Sequence, residues 1–205
     1  MHMPAITQFD RAVPAADPCL RMHAGVAGAE PVCGFAADAL VETEAGWRAV
    51  ADLKPGAGIA TLDGGFAALA GVLPLTDCRD AGFVHVPGGA LGNCSGIILP
   101  AQQEILLPAG LAEPVLDAAY ALVPAVALVG RFGVTGVEPG GGSRFYTLRF
   151  AEEEIVWANS GLMLRVPSGP RSAFCRLSGP GARVLVELLD EGTPFCTAAD
   201  GLAAA

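Results

Sequence analysis

The chain has 205 residues, 52% of them hydrophobic, which is enough for one domain with a sizeable core. Its formal net charge is −9, and its 12 Lys and Arg form no cluster, which argues against nucleic acid and anionic membrane surfaces as partners. The most apolar stretch, residues 118–129, contains Pro124 and is too short to span a bilayer, so a soluble protein is expected.

Residues 1–30 are rich in Ala, Pro and other small residues, show no period, and read as an N-terminal arm. They lack the basic leader and apolar block of a signal peptide, so the cytoplasm is the expected location. From Val32 the pattern changes to short strands separated by turn residues, as 27 Gly and 16 Pro suggest. Residues 39–43 read as a strand, 44–46 as a turn, and 47–50 as the returning strand. A turn at Pro55-Gly56 precedes a strand over 58–62, which ends at Asp63-Gly64-Gly65. Residues 67–74 and 82–86 read as further strands, 87–94 as a loop or single helical turn, and 96–99 and 104–107 as apolar strands. Over 115–127 periodicity does not separate strand from helix. Residues 144–150 alternate, with Phe145, Thr147 and Arg149 opposing Tyr146, Leu148 and Phe150, and 154–158 read as the hairpin partner across a tight acidic turn. Residues 181–190 have helical spacing. The whole predicts an all-β protein with a small C-terminal helix.

Four blocks carry a resemblance. Residues 35–65 hold the landmarks Thr43, Gly46, Val50, Asp52-Leu53 and Pro55-Gly56. Residues 84–93 are an apolar strand followed by Gly89-Ala90-Leu91-Gly92-Asn93. Residues 97–107 and 146–161 supply the other two blocks. In this order they resemble the Hedgehog/intein (Hint) domains of bacteria. The resemblance implies a Hint-type β-fold over residues 31–168, with a C-terminal extension over 169–205, and it sets residues 122–129 as a helix-like segment.

In active members of that family a cysteine thiol attacks the preceding peptide carbonyl and turns amide into thioester. A histidine in a Ser-Pro-x-His or Thr-x-x-His motif protonates the leaving nitrogen. Carried over by position, the nucleophile place falls on Gly34, which has no side chain. The hydroxyl place falls on Pro100 and the histidine place on Gln103, which is neither acid nor base near neutral pH. Places often held by Asp and His in the late hairpin fall near Ala151 and Glu153. The resemblance therefore implies a Hint domain that has lost self-cleavage and serves as a structural or protein-binding module, with another protein or domain as its partner. The alternative is an active domain that performs an N–S acyl shift through Cys33, one residue early.

The remaining candidates are weaker. Cys33 reads more simply as a small residue at the mouth of the old site, because a one-residue slip misplaces the nucleophile. The six cysteines, Cys19, Cys33, Cys78, Cys94, Cys175 and Cys196, form no CxxC pair. With only His2, His23 and His85 beside them, no metal site or cofactor is expected, and mostly reduced, buried thiols are. Cys94 follows a turn and lies within conceivable reach of Cys78 or Cys33. His85 reads as a surface strand residue, Glu152, Glu153 and Glu154 as a solvated hairpin tip, and Gln102 with Gln103 as a polar remnant in the old cleft that hydrogen-bonds a strand edge. Asp38 and Glu42 have no paired base. Gly140-Gly141-Gly142 lacks the context of a phosphate loop, and no Ser-His-Asp set assembles.

Overall fold

Short apolar runs broken by Gly and Pro can bury themselves only by pairing edge to edge, and the computed structural model is built that way. It describes residues 32–63, 65–76, 82–138, 143–169 and 171–192. The N-terminal arm, the 140–142 glycines and Cys19, Cys78 and Cys196 lie outside these residues. The strands are β1 (Phe35–Ala36), β2 (Leu40–Thr43), β3 (Gly46–Ala49), β4 (Gly58–Ala60), β5 (Phe66–Ala68), β6 (Gly71–Pro74), β7 (Phe83–Val86) and β8 (Ile97–Pro100). They continue as β9 (Glu104–Pro108), β10 (Tyr120–Pro124), β11 (Thr135–Val137), β12 (Phe145–Arg149), β13 (Glu154–Ala158), β14 (Leu162–Val166) and β15 (Cys175–Arg176). The helices are α1 (Glu113–Leu116) and α2 (Gly179–Gly192).

Among the described residues three sheets result. The largest runs β15-β10-β9-β14-β13-β2-β4-β5, with β3 paired to β2; the others are β1-β12-β6 and β11-β7-β8. Their inner faces share one core that includes Phe35, Leu99, Ile105, Leu148 and Leu164. Phe83 and Phe145 stack tilted across it, with centroids 4.6 Å apart. Each such side chain contributes about 1.5–3 kcal/mol on burial. The helix α2 turns Ala182, Leu185, Val186 and Leu189 into the same core, against the 3-10 turn Ala125–Leu128.

The turns form where the residues require them. Ala57 N–H bonds to Lys54 C=O across Pro55-Gly56, and Gly56 sits at φ +88° in the left-handed region that its missing Cβ permits. Thr43 Oγ1 bonds the Gly46 carbonyl and closes the β2–β3 hairpin.

Several expectations are corrected. The strand β13 does not pair with β12. It pairs with β14 along its full length and with β2 at Val41, while β12 lies between β1 and β6. The cause is that Phe150 is buried and Glu153 turns inward, so residues 150–153 cross between sheets. Nor does β12 alternate cleanly: Phe145 and Leu148, of opposite parity, are both buried, while Tyr146 and Thr147 between them are half-buried. Residues 122–129 are half strand and half 3-10 turn. Cys175 departs from the expectation of mostly reduced thiols, being disulfide-bonded, whereas Cys33 and Cys94 are free. Cys33 and Cys94 therefore do not bridge each other.

Two buried asparagines hold the 87–96 loop. Asn93 accepts from Leu91 N–H and donates to the carbonyls of Pro87 and Ser95. Asn159, at φ +45° in the β13–β14 turn, accepts from Leu40 N–H at 2.9 Å and donates to Ser95 Oγ at 3.0 Å. Gly161 completes that turn, and a Cβ there would stand 2.1 Å from the Gly92 carbonyl oxygen. Gly161→Ala should therefore cost about 1–3 kcal/mol or more. Gly71→Ala, where a Cβ meets nothing within 4 Å, should be close to neutral. Urea denaturation of both variants checks the contrast, and equal midpoints would refute it.

Candidate functional site

The Cys33–Gly34 peptide bond enters the fold just before β1, and both of its polar ends are held. Gly34 N–H donates to Gln103 Oε1 at 2.9 Å. The Cys33 carbonyl accepts from Thr147 Oγ1 of β12 at 3.1 Å. The position of Gln103 follows from the chain around it: its N–H bonds the Pro100 carbonyl, closing a tight turn between β8 and β9, and its own carbonyl takes Ala125 N–H. Its side chain is fully buried, and Nε2 donates to the carbonyls of Arg165 at 2.9 Å and Glu104 at 3.1 Å. With oxygen facing a donor and nitrogen facing two acceptors, the carboxamide has one consistent orientation. Such a group accepts a hydrogen bond from the peptide nitrogen but supplies no proton to it near neutral pH.

The structure brings Gly34, Gln103 and Cys33 together. Pro100 ends β8 and contributes its carbonyl to the turn. No side chain projects at Gly34, and little room remains for one: an added Cβ would lie 3.0 Å from Leu75 Cδ2 and 3.2 Å from the Tyr146 carbonyl oxygen.

Cys33 is 8% exposed. Burial pushes its thiol up to about 11, with the charge of Glu104 acting in the same direction. Cys94 is the opposite case, exposed and held below the usual thiol value by hydrogen bonds with Ser160, at 3.2 Å, and with Ser95.

Glu153 is not at a solvated tip. One of its oxygens accepts from Arg165 Nε at 2.5 Å, and the other from Ser172 Oγ and Ala173 N–H. Arg165, on β14 and completely buried, also meets Glu104 at 2.5 Å, and Glu104 in turn accepts from Arg176 Nε at 2.6 Å. Burial works against the Arg165 charge, but Glu153 and Glu104 outweigh it and raise its proton affinity. His85 lies half-buried on β7, opposite Thr135 and Ile98 and away from these groups.

Sequence reasoning missed Thr147 and Arg165. The first is one of many strand threonines. The second sits in an apolar run, and that setting is itself the signal: a lone Arg between Leu164 and Val166 calls for buried carboxylates. An apolar recess of about 240 Å³, bordered by Leu91, Leu106, Tyr120, Gly161 and Met163, lies elsewhere and includes none of Cys33, Gly34 or Gln103. Among the described residues no cluster of His, Cys, Asp and Glu is suited to a metal ion, and no helix is long and apolar enough to cross a membrane.

A profile of the Hint domain matches residues 33–163, and the chain belongs to that family. Among solved structures it is similar to the crystal structure of the MchDnaB-1 intein, at 13% identity and a TM-score of 0.41, covering 63% of this chain and 98% of that one. A variant of the same intein gives 15% identity and a TM-score of 0.40, with 66% and 99% covered. Likeness at that level says nothing of activity. No curated protein sequence matches the chain.

Alkylation at pH 8 should label Cys94 in the native protein and leave Cys33 unlabelled. Labelling of Cys33 should rise about tenfold per pH unit until its value near 11 is reached. Because the folded state holds this proton more tightly than the unfolded chain, Cys33 should also cost the fold stability as pH rises from 9 toward 11. Mass spectrometry of labelled peptides reads the first effect, and equal labelling of both thiols at pH 8 would refute it.

Proposed function

We propose that this Hint domain no longer cleaves itself and serves as a structural or protein-binding module. The observation that carries this reading is the hydrogen bond from Gly34 N–H to Gln103 Oε1, at the place where the family's chemistry needs a proton donor. In self-cleavage the nitrogen leaves as an amine and must be protonated, and a buried carboxamide does not do this. The nucleophile place supports the same reading, since Gly34 carries no side chain and Leu75 with the Tyr146 carbonyl fills the space beside it.

The competing reading, an acyl shift through Cys33, is disfavoured on three counts. Cleavage there would fall on the Val32–Cys33 bond, one residue before the peptide that Gln103 and Thr147 hold. The thiol is buried. With its value near 11, only about one molecule in a thousand carries the thiolate at pH 8.

The full-length chain should keep its intact mass through prolonged incubation with dithiothreitol at neutral pH. Release of an N-terminal fragment would sink the reading. Conversely, Gly34→Cys with Gln103→His, combined with Leu75→Ala to open the space, should give thiol-dependent cleavage between residues 33 and 34, slowed by Pro100. A folded triple variant that stays intact would show that these positions do not carry the family's roles.

A further inference from the structure

The charges beside Gln103 are joined to a segment that the family match, which ends at residue 163, does not include. Residues 171–176 run from the end of a loop into β15, which adds to the large sheet alongside β10. Arg165 Nη2 donates to the Arg171 carbonyl at 3.0 Å, Ser172 Oγ and Ala173 N–H donate to Glu153, and Arg176 Nε donates to Glu104. Four polar contacts thus tie six residues to three buried or half-buried side chains. Those side chains are one step from the held peptide: Glu104 follows Gln103 in the chain, and the Gln103 amide donates to the backbone carbonyls of Glu104 and Arg165. Cys33 lies close enough for Glu104, Arg165 and Arg176 all to act on its thiol.

We propose that residues 171–176 act as a clamp in cis, holding Gln103 against the Cys33–Gly34 peptide and keeping Cys33 covered. Without the clamp, Arg165 loses a carbonyl acceptor, Glu153 loses two donors and Glu104 loses one. Buried charges left short of partners draw in water, and water entering at Glu104 enters beside Gln103. The clamp is then a positioning device for the peptide bond. The inference concerns access and local opening, so it holds or fails whether or not the chain cuts itself.

The test is Ser172→Ala with Arg176→Ala in the full chain, with the Cys175 disulfide left intact. Arg131→Ala serves as the control, since it breaks only the exposed ion pairs with Glu187 and Asp190 on α2. Hydrogen exchange at the Gly34 amide and alkylation of Cys33 should both accelerate by at least about tenfold, as expected when a charge-assisted hydrogen bond is lost. Exchange at Val41 and Ile59, on β2 and β4 toward the other end of the large sheet from β15, should stay near that of the parent, and the control should leave Gly34 and Cys33 unchanged. If Gly34 and Cys33 respond only in proportion to the core amides, or not at all, the clamp is overturned. Should the double variant fail to fold, Ser172→Ala alone gives the same two readings at smaller amplitude.

Discussion

The Gln103 side chain is the contact on which the rest of the arrangement depends. It is fully buried, and its oxygen and both N–H groups are paired with the start of β1, the beginning of β9 and the end of β14. Those three segments lie far apart in the chain, and two of them belong to different sheets. A buried carboxamide tolerates little misplacement, because each unmet hydrogen bond costs about 1–3 kcal/mol. The separation between the sheets is therefore fixed at one point by polar geometry as well as by the apolar core between them.

The charged cluster beside it imposes the same kind of order. A buried Arg between two carboxylates need not stabilise a fold, since desolvation of the ions offsets much of their attraction. Its effect is selective. A β14 shifted by one residue would turn Arg165 to the other face of the sheet and leave Glu104 and Glu153 facing apolar side chains. The register in which Leu164 lies opposite Ile105 is the one that brings these charges together. The polar groups discriminate between registers that hydrophobic burial alone would treat as similar.

The local parts of this fold were legible in the sequence, and the long-range pairing was not. The β2–β3 hairpin, the Pro55-Gly56 turn and α2 each announce themselves within a few residues, through turn chemistry or helical spacing. The partner of β13 is hidden because three consecutive acids look like a solvated tip, and nothing local shows that Glu153 reaches a guanidinium twelve residues on. The strand β14 is hidden in the sequence by Arg165, which interrupts its apolar run. The two-residue strands β1 and β15 lie below what any period can show. At the site, the positions of Gly34 and Gln103 came from resemblance, whereas Thr147 and the charged cluster needed the three-dimensional arrangement.

Under the proposed reading, loss of chemistry and gain of packing at residue 34 are one change seen from two sides. A nucleophile must keep a side chain beside the carbonyl it attacks, and that requirement holds open a space the core would otherwise fill. With glycine there, Leu75 and the Tyr146 backbone close over the position. A histidine at position 103 would need to exchange protons, which favours a partly solvated ring. Glutamine has no such need and can be sealed in with all its bonds made. The peptide bond is still gripped at both ends, by Gln103 and Thr147, but the groups that hold it are neutral and fixed. At the nitrogen, an acceptor such as the Gln103 oxygen stabilises the ground state of the amide and supplies no proton to a leaving amine, and only interactions that strengthen toward the transition state speed a reaction.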